Sequence, residues 1–82
     1  MTMTIQLLNL QRKPDGRLIV HYKDERGQRS RQFKDRQSAR VACSKRLLTP
    51  AALAAKAQDP ANSQLLLEHW LALAVIERLD RA

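Results

Sequence analysis

The chain has 82 residues, with 15 Lys and Arg against 8 Asp and Glu, and a net charge of +7. That length excludes two separately folded cores, so we expect a single domain over residues 1–82. One cysteine excludes an internal disulfide, and no set of His and Cys ligands is present that would hold a metal ion.

The positive charge is concentrated in one half of the sequence. Residues 1–48 contain twelve Lys and Arg against four acidic residues, a net charge of +8, whereas residues 49–82 have a net charge of −1. The domain therefore divides into a basic half, 1–48, and an apolar half, 49–82. The electrostatic field of such a one-sided positive charge attracts polyanions or acidic protein surfaces.

Targeting and membrane segments are not expected. The amino-terminal sequence lacks the basic region and the apolar run of a secretory signal, and no apolar run reaches about 18 residues. The last predicted helix has too few Lys and Arg on its polar side for a membrane-surface anchor. We therefore predict a cytoplasmic protein with no membrane partner.

Three strands are predicted in the basic half. The apolar run at 5–10 is followed by Pro14-Asp15-Gly16, a strong turn signal. The sequence RLIVHYK then has the β-branched and aromatic residues typical of a strand. A second turn at residues 24–27 leads into QRSRQF. This order predicts a three-stranded antiparallel meander.

The register of the meander decides which side chains are exposed. With two three-residue loops, Lys13 pairs with Arg17 and Asp24 with Gln28. One face is then apolar, with Leu10 opposite Val20, Leu8 opposite Tyr22 and Leu18 beside them. The other face is polar and carries Asn9, Gln11, His21, Lys23, Arg29 and Arg31. A register one residue different in the second hairpin would turn Arg29 and Arg31 into the core, where an unpaired charge is strongly unfavourable. We therefore predict the register that exposes both arginines. Ile19 and Phe33 then share the arginines' face, unless Phe33 lies past the end of the strand and packs against the next helix.

Three helices are predicted after the sheet. Asp35 is a competent N-cap for a first helix through residues 36–48, and its apolar stripe of Ala39, Ala42, Cys43 and Leu47 covers the sheet. Thr49-Pro50 begins a short alanine-rich helix, and Asp59-Pro60 precedes a final helix of about 20 residues. The predicted class is α+β, in the order β-β-β-α-α-α, with the first helix packed on the sheet.

The final helix is apolar almost all the way round. Between Leu65 and Ile76 only Glu68 and His69 are polar. A domain this small cannot cover such a helix by itself, so the surplus surface is expected to contact another molecule. The simplest partner is a second copy, joined through residues 63–80. The predicted interface residues are Leu66, Trp70, Leu73 and Glu77.

No residue pattern indicates an enzyme. Cys43, next to Ala42, is typical of a small core residue, and Glu68-His69 is typical of a satisfied polar pair or an interface contact. The two glycines lie in turns, and no phosphate-binding glycine-rich loop is present. We predict no catalytic residues, no cofactor and no metal.

The basic sheet favours nucleic acid as a partner. Lys and Arg neutralise phosphates and release counterions, and a ribbon of two or three strands fits the DNA major groove. Strand-borne arginines also protect sheet edges from aggregation, which is the structural alternative.

Residues 15–42, "DGRLIVHYKDERGQRSRQFKDRQSARVA", resemble the sheet-plus-helix modules of phage tyrosine integrases (the arm-binding domain) and plant ethylene-response transcription factors. In those modules a glycine turn, an arginine-rich last strand, a phenylalanine and an alanine-containing helix follow in this order. This chain departs from them at Leu18, where they have an aromatic residue. The resemblance implies that the sheet lies in the major groove and that its contacts are Arg17, His21, Lys23, Arg29 and Arg31. Arg36 and Arg40, on the outer side of the first helix, complete the predicted DNA-binding set.

Two functional hypotheses follow. The first is a small protein that binds double-stranded DNA and serves as a regulator or accessory factor of a phage or mobile element. The alternative is a small inhibitor or adaptor that binds a host protein through its basic face or its apolar last helix. The first depends on the third-strand guanidinium groups pointing to water, on the face opposite the apolar side chains.

Overall fold

The computed structural model describes residues 5–81. The parts of the predictions above that concern residues 1–4 and 82 lie outside the described chain. Three antiparallel strands precede three α-helices, and α1 contacts the sheet, which confirms the predicted α+β class. The elements are β1 Gln6–Arg12, β2 Leu18–Asp24, β3 Gly27–Phe33, α1 Arg36–Ser44, α2 Pro50–Ala57, a 3-10 turn Pro60–Asn62 and α3 Ser63–Arg81. Over this range no helix is both long enough and apolar enough to span a membrane.

The first hairpin has the predicted loop. The Lys13 N–H donates to the Arg17 carbonyl at 2.8 Å, and Gly16 takes a φ of 97°, a conformation that L side chains rarely adopt. Leu10 pairs with Val20, as predicted. The turn signal therefore specified this end of the sheet.

A bulge in β1 changes the other end of the hairpin. The register shifts between Leu7 and Asn9, so Leu7 faces Tyr22 and Leu8 does not. Leu8 is exposed instead of facing the core. The predicted pairing of Leu8 with Tyr22 was wrong, because strict alternation cannot locate an extra residue within an apolar run.

The second hairpin differs from its predicted register by one residue. Asp24 pairs with Gly27, not with Gln28. The Asp24 carboxylate accepts the Arg26 N–H at 2.8 Å, and Gly27 has a φ of 115°. These two features close the chain after a two-residue loop, so every later residue of β3 moves to the opposite face.

The shift places β3 arginines on the helix-covered side of the sheet. Arg31 lies opposite Val20, and Arg29 lies opposite Tyr22. The prediction that both arginines lie on the polar face was therefore wrong. The same shift puts Phe33 opposite the buried Leu18, where it packs against the core.

Helix α1 begins where predicted and ends early. Asp35 caps it, since its carboxylate accepts the Ser38 N–H at 2.7 Å. The helix ends at Ser44, so Leu47 falls outside it and is exposed. The predicted four-residue stripe is therefore shortened, and its buried residues are Ala39 and Cys43.

Side-chain caps also begin the next two segments. The Thr49 hydroxyl accepts the Ala52 N–H at 3.1 Å, with Pro50 at the first position of α2. Asp59 caps the 3-10 turn that leads into α3. The core lies between the covered face of the sheet and helices α1 and α3, and its buried members are Leu18, Val20, Tyr22, Ala39, Cys43, Leu71, Ala72, Val75 and Leu79.

Most of the apolar surface of α3 is covered within the chain. Of its apolar side chains only Leu65 and Trp70 are exposed, whereas the others are buried or half-buried. The surplus surface predicted from the sequence is therefore small, because the sheet, α1 and α2 all contact this helix.

Candidate functional site

Within residues 5–81, one face of the sheet carries no helix. Ile19, His21 and Lys23 alternate with the buried residues of β2, so they lie on the open side, and their cross-strand partners share it. We name this surface the outer sheet face. It consists of Gln6, Asn9, Gln11, Ile19, His21, Lys23, Gln28, Ser30 and Gln32.

The outer sheet face is polar and free of negative charge. Five of its nine residues have amide side chains, and the others supply one hydroxyl, one imidazole, one ammonium group and one aliphatic group. None of these nine residues is acidic. His21 Nε2 lies 3.0 Å from Gln11 Oε1, a hydrogen bond that links β1 and β2 across the face. The face therefore offers donors and acceptors without repelling an anion.

Cationic residues lie at both ends of this face. Arg12, Lys13 and Arg17 surround the first turn, where Arg17 Nε is 3.2 Å from Asp15 Oδ2 and both side chains are well exposed. Lys23 and Arg26 lie at the second turn, and both are exposed. The end at the first turn therefore has a net positive charge, whereas Asp24 and Glu25 balance the two cations of the second turn.

The arginine expected to dominate the exposed face is instead in an ion pair on the covered side. Arg31 donates two hydrogen bonds of 2.7 Å to the two carboxylate oxygens of Glu68 on α3. Gln64 Nε2 also donates to Glu68 at 3.2 Å, and Arg46 Nη1 lies 3.5 Å from it. We name Arg31, Arg46, Gln64 and Glu68 the Glu68 cluster.

Hydrogen bonding fixes the charges of this cluster. The bonds from Arg31 hold the pKa of Glu68 below its usual value, against the opposing effect of burial. The same bonds raise the pKa of Arg31. The Arg31 guanidinium carbon also lies 5.9 Å from the centre of the Tyr22 ring. Arg31 therefore joins the sheet to α3, and its hydrogen-bonding groups are directed into the fold.

Arg29 is also absent from the outer sheet face. Its guanidinium lies 3.9 Å from the Asp24 carboxylate, with 46% of its side chain exposed. The predicted platform of third-strand arginines opposite the apolar face therefore does not form.

The two arginines predicted on α1 contact the end of α3. Arg36 donates to the Leu79 carbonyl, and Arg40 pairs with Asp80. These contacts fasten α1 to the last turn of α3, away from the strands. Of the seven residues predicted to bind DNA, His21 and Lys23 lie on the outer sheet face and Arg17 lies at its end.

Sequence reasoning missed the β3 members of this face. Gln28, Ser30 and Gln32 replace the arginines there. A signal was present, because placing the arginines outside left Phe33 outside as well. Giving Phe33 to the core would have selected the observed register.

The predicted partner surface on α3 is only partly exposed. Leu66 is 8% exposed, so it offers no surface to a partner and its predicted role was wrong. Trp70 and Glu77 are exposed and Leu73 is half-buried. Of these three residues, only Trp70 is a large apolar side chain that is exposed.

The two polar residues in the middle of α3 are satisfied within the chain. Glu68 belongs to the cluster described above, and His69 Nδ1 accepts the Leu48 N–H at 2.9 Å. His69 therefore holds the loop between α1 and α2, and its ring meets Trp70 edge-on at 4.9 Å.

The cysteine lies in the core. Cys43 is buried, and burial raises the pKa of its thiol, which disfavours the reactive thiolate. Within residues 5–81, no three His, Cys, Asp or Glu side chains are grouped so that they could hold a metal ion.

Comparison with known proteins finds no matching family model, no matching curated protein and no matching solved structure.

Proposed function

We propose that this chain is a small protein that binds double-stranded DNA through the outer sheet face. The observation that supports the proposal best is a sheet face without a helix whose nine residues include amide, hydroxyl and imidazole groups and no carboxylate, with a net positive charge at the first turn. Amide side chains form paired hydrogen bonds with adenine, and cations at the margins attract phosphates. The arginines first assigned to the contact, Arg29 and Arg31, are not part of this proposal.

The dimensions of the sheet are compatible with the major groove. Neighbouring strands lie about 4.8 Å apart, so three strands are about 10 Å across, whereas the major groove is about 12 Å wide. The helices pack on the other side and leave the approach open. In this arrangement Lys23 and the cations of the first turn contact phosphates, and the central amides face the base edges.

The biological setting of this proposal rests on the sequence alone. The resemblance of residues 15–42 to DNA-binding modules of phage integrases and plant transcription factors supports a regulator or accessory factor of a phage or mobile element. A homodimer through α3 would present two such faces, with Trp70, Leu73 and Glu77 at the contact.

Salt dependence and matched variants test the proposal. About four phosphate contacts give a slope near −3.6, so affinity for a random duplex should fall about a hundredfold between about 50 mM and about 200 mM salt. Ser30→Glu places a carboxylate on the face and should weaken binding by about tenfold or more. Ser44→Glu, an equal change on exposed α1, should leave binding unchanged. In a second pair, Lys23→Gln on the outer sheet face should weaken binding, and Lys56→Gln on α2 should leave it unchanged.

Two outcomes would contradict DNA binding through the outer sheet face. Equal weakening by both serine variants would indicate a general charge effect, and no measurable duplex binding by the parent protein would reject the proposal. The second outcome would favour an inhibitor or adaptor of a host protein. A pull-down that compares the parent with Trp70→Ala then tests whether the exposed side of α3 binds that protein.

A further inference from the structure

The structure contains a groove on the helical side of the domain. It has a volume of about 850 Å³ and lies between α1 and the first half of α3, with Leu48 of the intervening loop in its lining. The residues that line it come from α1 and its flanks, this loop and α3, and none of them belongs to a strand. A ligand in the groove would therefore not compete with a ligand on the outer sheet face.

The groove has apolar side chains that face solvent. Val41 of α1 is 48% exposed, and Leu65 of α3, on the other wall, is also exposed. Ala42 and Leu48, both half-buried, add to this apolar surface. Covering aliphatic side chains of this kind is favourable because it removes apolar surface from water.

The charges near the groove favour an acidic ligand. Lys45 and Arg46 line it just beyond the end of α1, and both are exposed. Glu68 also lines it, but two guanidinium groups share that single carboxylate, which leaves the cluster with an excess positive charge. Asp35 also lines the groove and stays negative, because hydrogen bonding from the Ser38 N–H lowers its pKa. Its carboxylate is occupied as the cap of α1, at the opposite end of that helix from Lys45 and Arg46.

We propose that this groove binds an acidic, apolar peptide segment of a partner protein. Aliphatic side chains of the segment contact Val41 and Leu65, and its carboxylates pair with Lys45 and Arg46. A basic segment would meet these two cations unfavourably. Peptide segments with spaced apolar anchors commonly bind grooves between helices in this way.

Selection from a displayed library of random peptides of about 15 residues, on the immobilised full chain, tests this proposal. Enriched peptides should combine apolar residues with Asp or Glu and should bind the free protein in solution. Val41→Asp and Lys45→Glu should each weaken that binding by about tenfold or more. Arg78→Glu, the same charge change on exposed α3 outside the groove, should change it less than about twofold. Circular dichroism establishes that each variant is folded.

Three results would overturn the proposal: no enriched peptide, enrichment of basic peptides, or equal binding to Val41→Asp and the parent. A fourth result would also overturn it. If sedimentation shows that the parent is a dimer and that Val41→Asp is a monomer, a second copy of the chain occupies the groove instead of a peptide. The test is independent of DNA binding, because Ser30→Glu should leave peptide affinity unchanged and Lys45→Glu should leave duplex affinity unchanged.

Discussion

Replacing Glu68 by leucine removes the carboxylate that pairs with Arg31 and leaves the guanidinium without its partner. Removing one member of a fully buried pair costs about 3–5 kcal/mol. Glu68 is nearly buried, with 13% of its side chain exposed, but 32% of the Arg31 side chain reaches solvent. Water can therefore solvate part of the remaining charge, and we expect a loss of about 2–3 kcal/mol in the free energy of unfolding.

Removing both partners should lower the free energy of unfolding much less. The double variant Arg31→Met with Glu68→Leu replaces the pair by apolar side chains of similar size, and we expect a stability within about 1 kcal/mol of the parent. Arg31→Met alone should cost about 2 kcal/mol, because the Glu68 carboxylate keeps Arg46 and Gln64 as partners. The two single changes are thus strongly non-additive.

Urea denaturation followed by far-ultraviolet circular dichroism measures these differences. A slope of about 1 kcal/mol per molar urea is expected, so the midpoint should fall by about 2–3 M in Glu68→Leu and by about 2 M in Arg31→Met. The exposed pair Arg40–Asp80 is a matched control, and its cycle should give a coupling energy below about 1 kcal/mol. If the Arg31 and Glu68 changes prove additive within about 0.5 kcal/mol, the pair does not join the sheet to α3 energetically as argued.

Three further predictions concern pH, a turn and a buried ring. Because the pKa of Glu68 is lowered in the folded protein, its contribution to stability is complete above its unfolded pKa and is lost as pH falls from about 5 through the folded pKa. Acid titration of the unfolding midpoint should therefore be less steep in Glu68→Gln than in the parent. Gly27→Ala should lower stability by about 1–2 kcal/mol in thermal unfolding, since its φ is positive although nothing lies near the added Cβ. Glu25→Ala in the same turn should change it by less than about 0.5 kcal/mol. His69→Phe removes the acceptor of the Leu48 N–H and should cost about 1–3 kcal/mol, with faster hydrogen exchange at that amide as the direct readout.

The strands and helices of this fold could be predicted because the turn and cap sequences that delimit them are local. Pro14-Asp15-Gly16 closes the first hairpin, and Asp35 caps α1, as predicted from short stretches of sequence. Each of these features depends on residues within a few positions of one another, so no tertiary contact is needed to recognise it.

The candidate site was less predictable, because a one-residue change of register exchanges the two faces of a strand. In the observed register Arg31 would be an unfavourable unpaired charge near the core if judged from the sheet alone, which is why the other register was predicted. Arg31 has a partner in Glu68, which lies 37 residues away in the chain. An isolated acidic residue on an otherwise apolar helix was a sign that such a partner was needed.

The sequence alone determined the order of strands and helices, the first turn, the caps and the basic character of residues 1–48. Tertiary structure decided which face of the sheet remains open and which arginines are committed to internal pairs. The physical reason is that hydrogen-bonded turns and caps are local, whereas the solvation of a charge depends on what the rest of the chain places beside it.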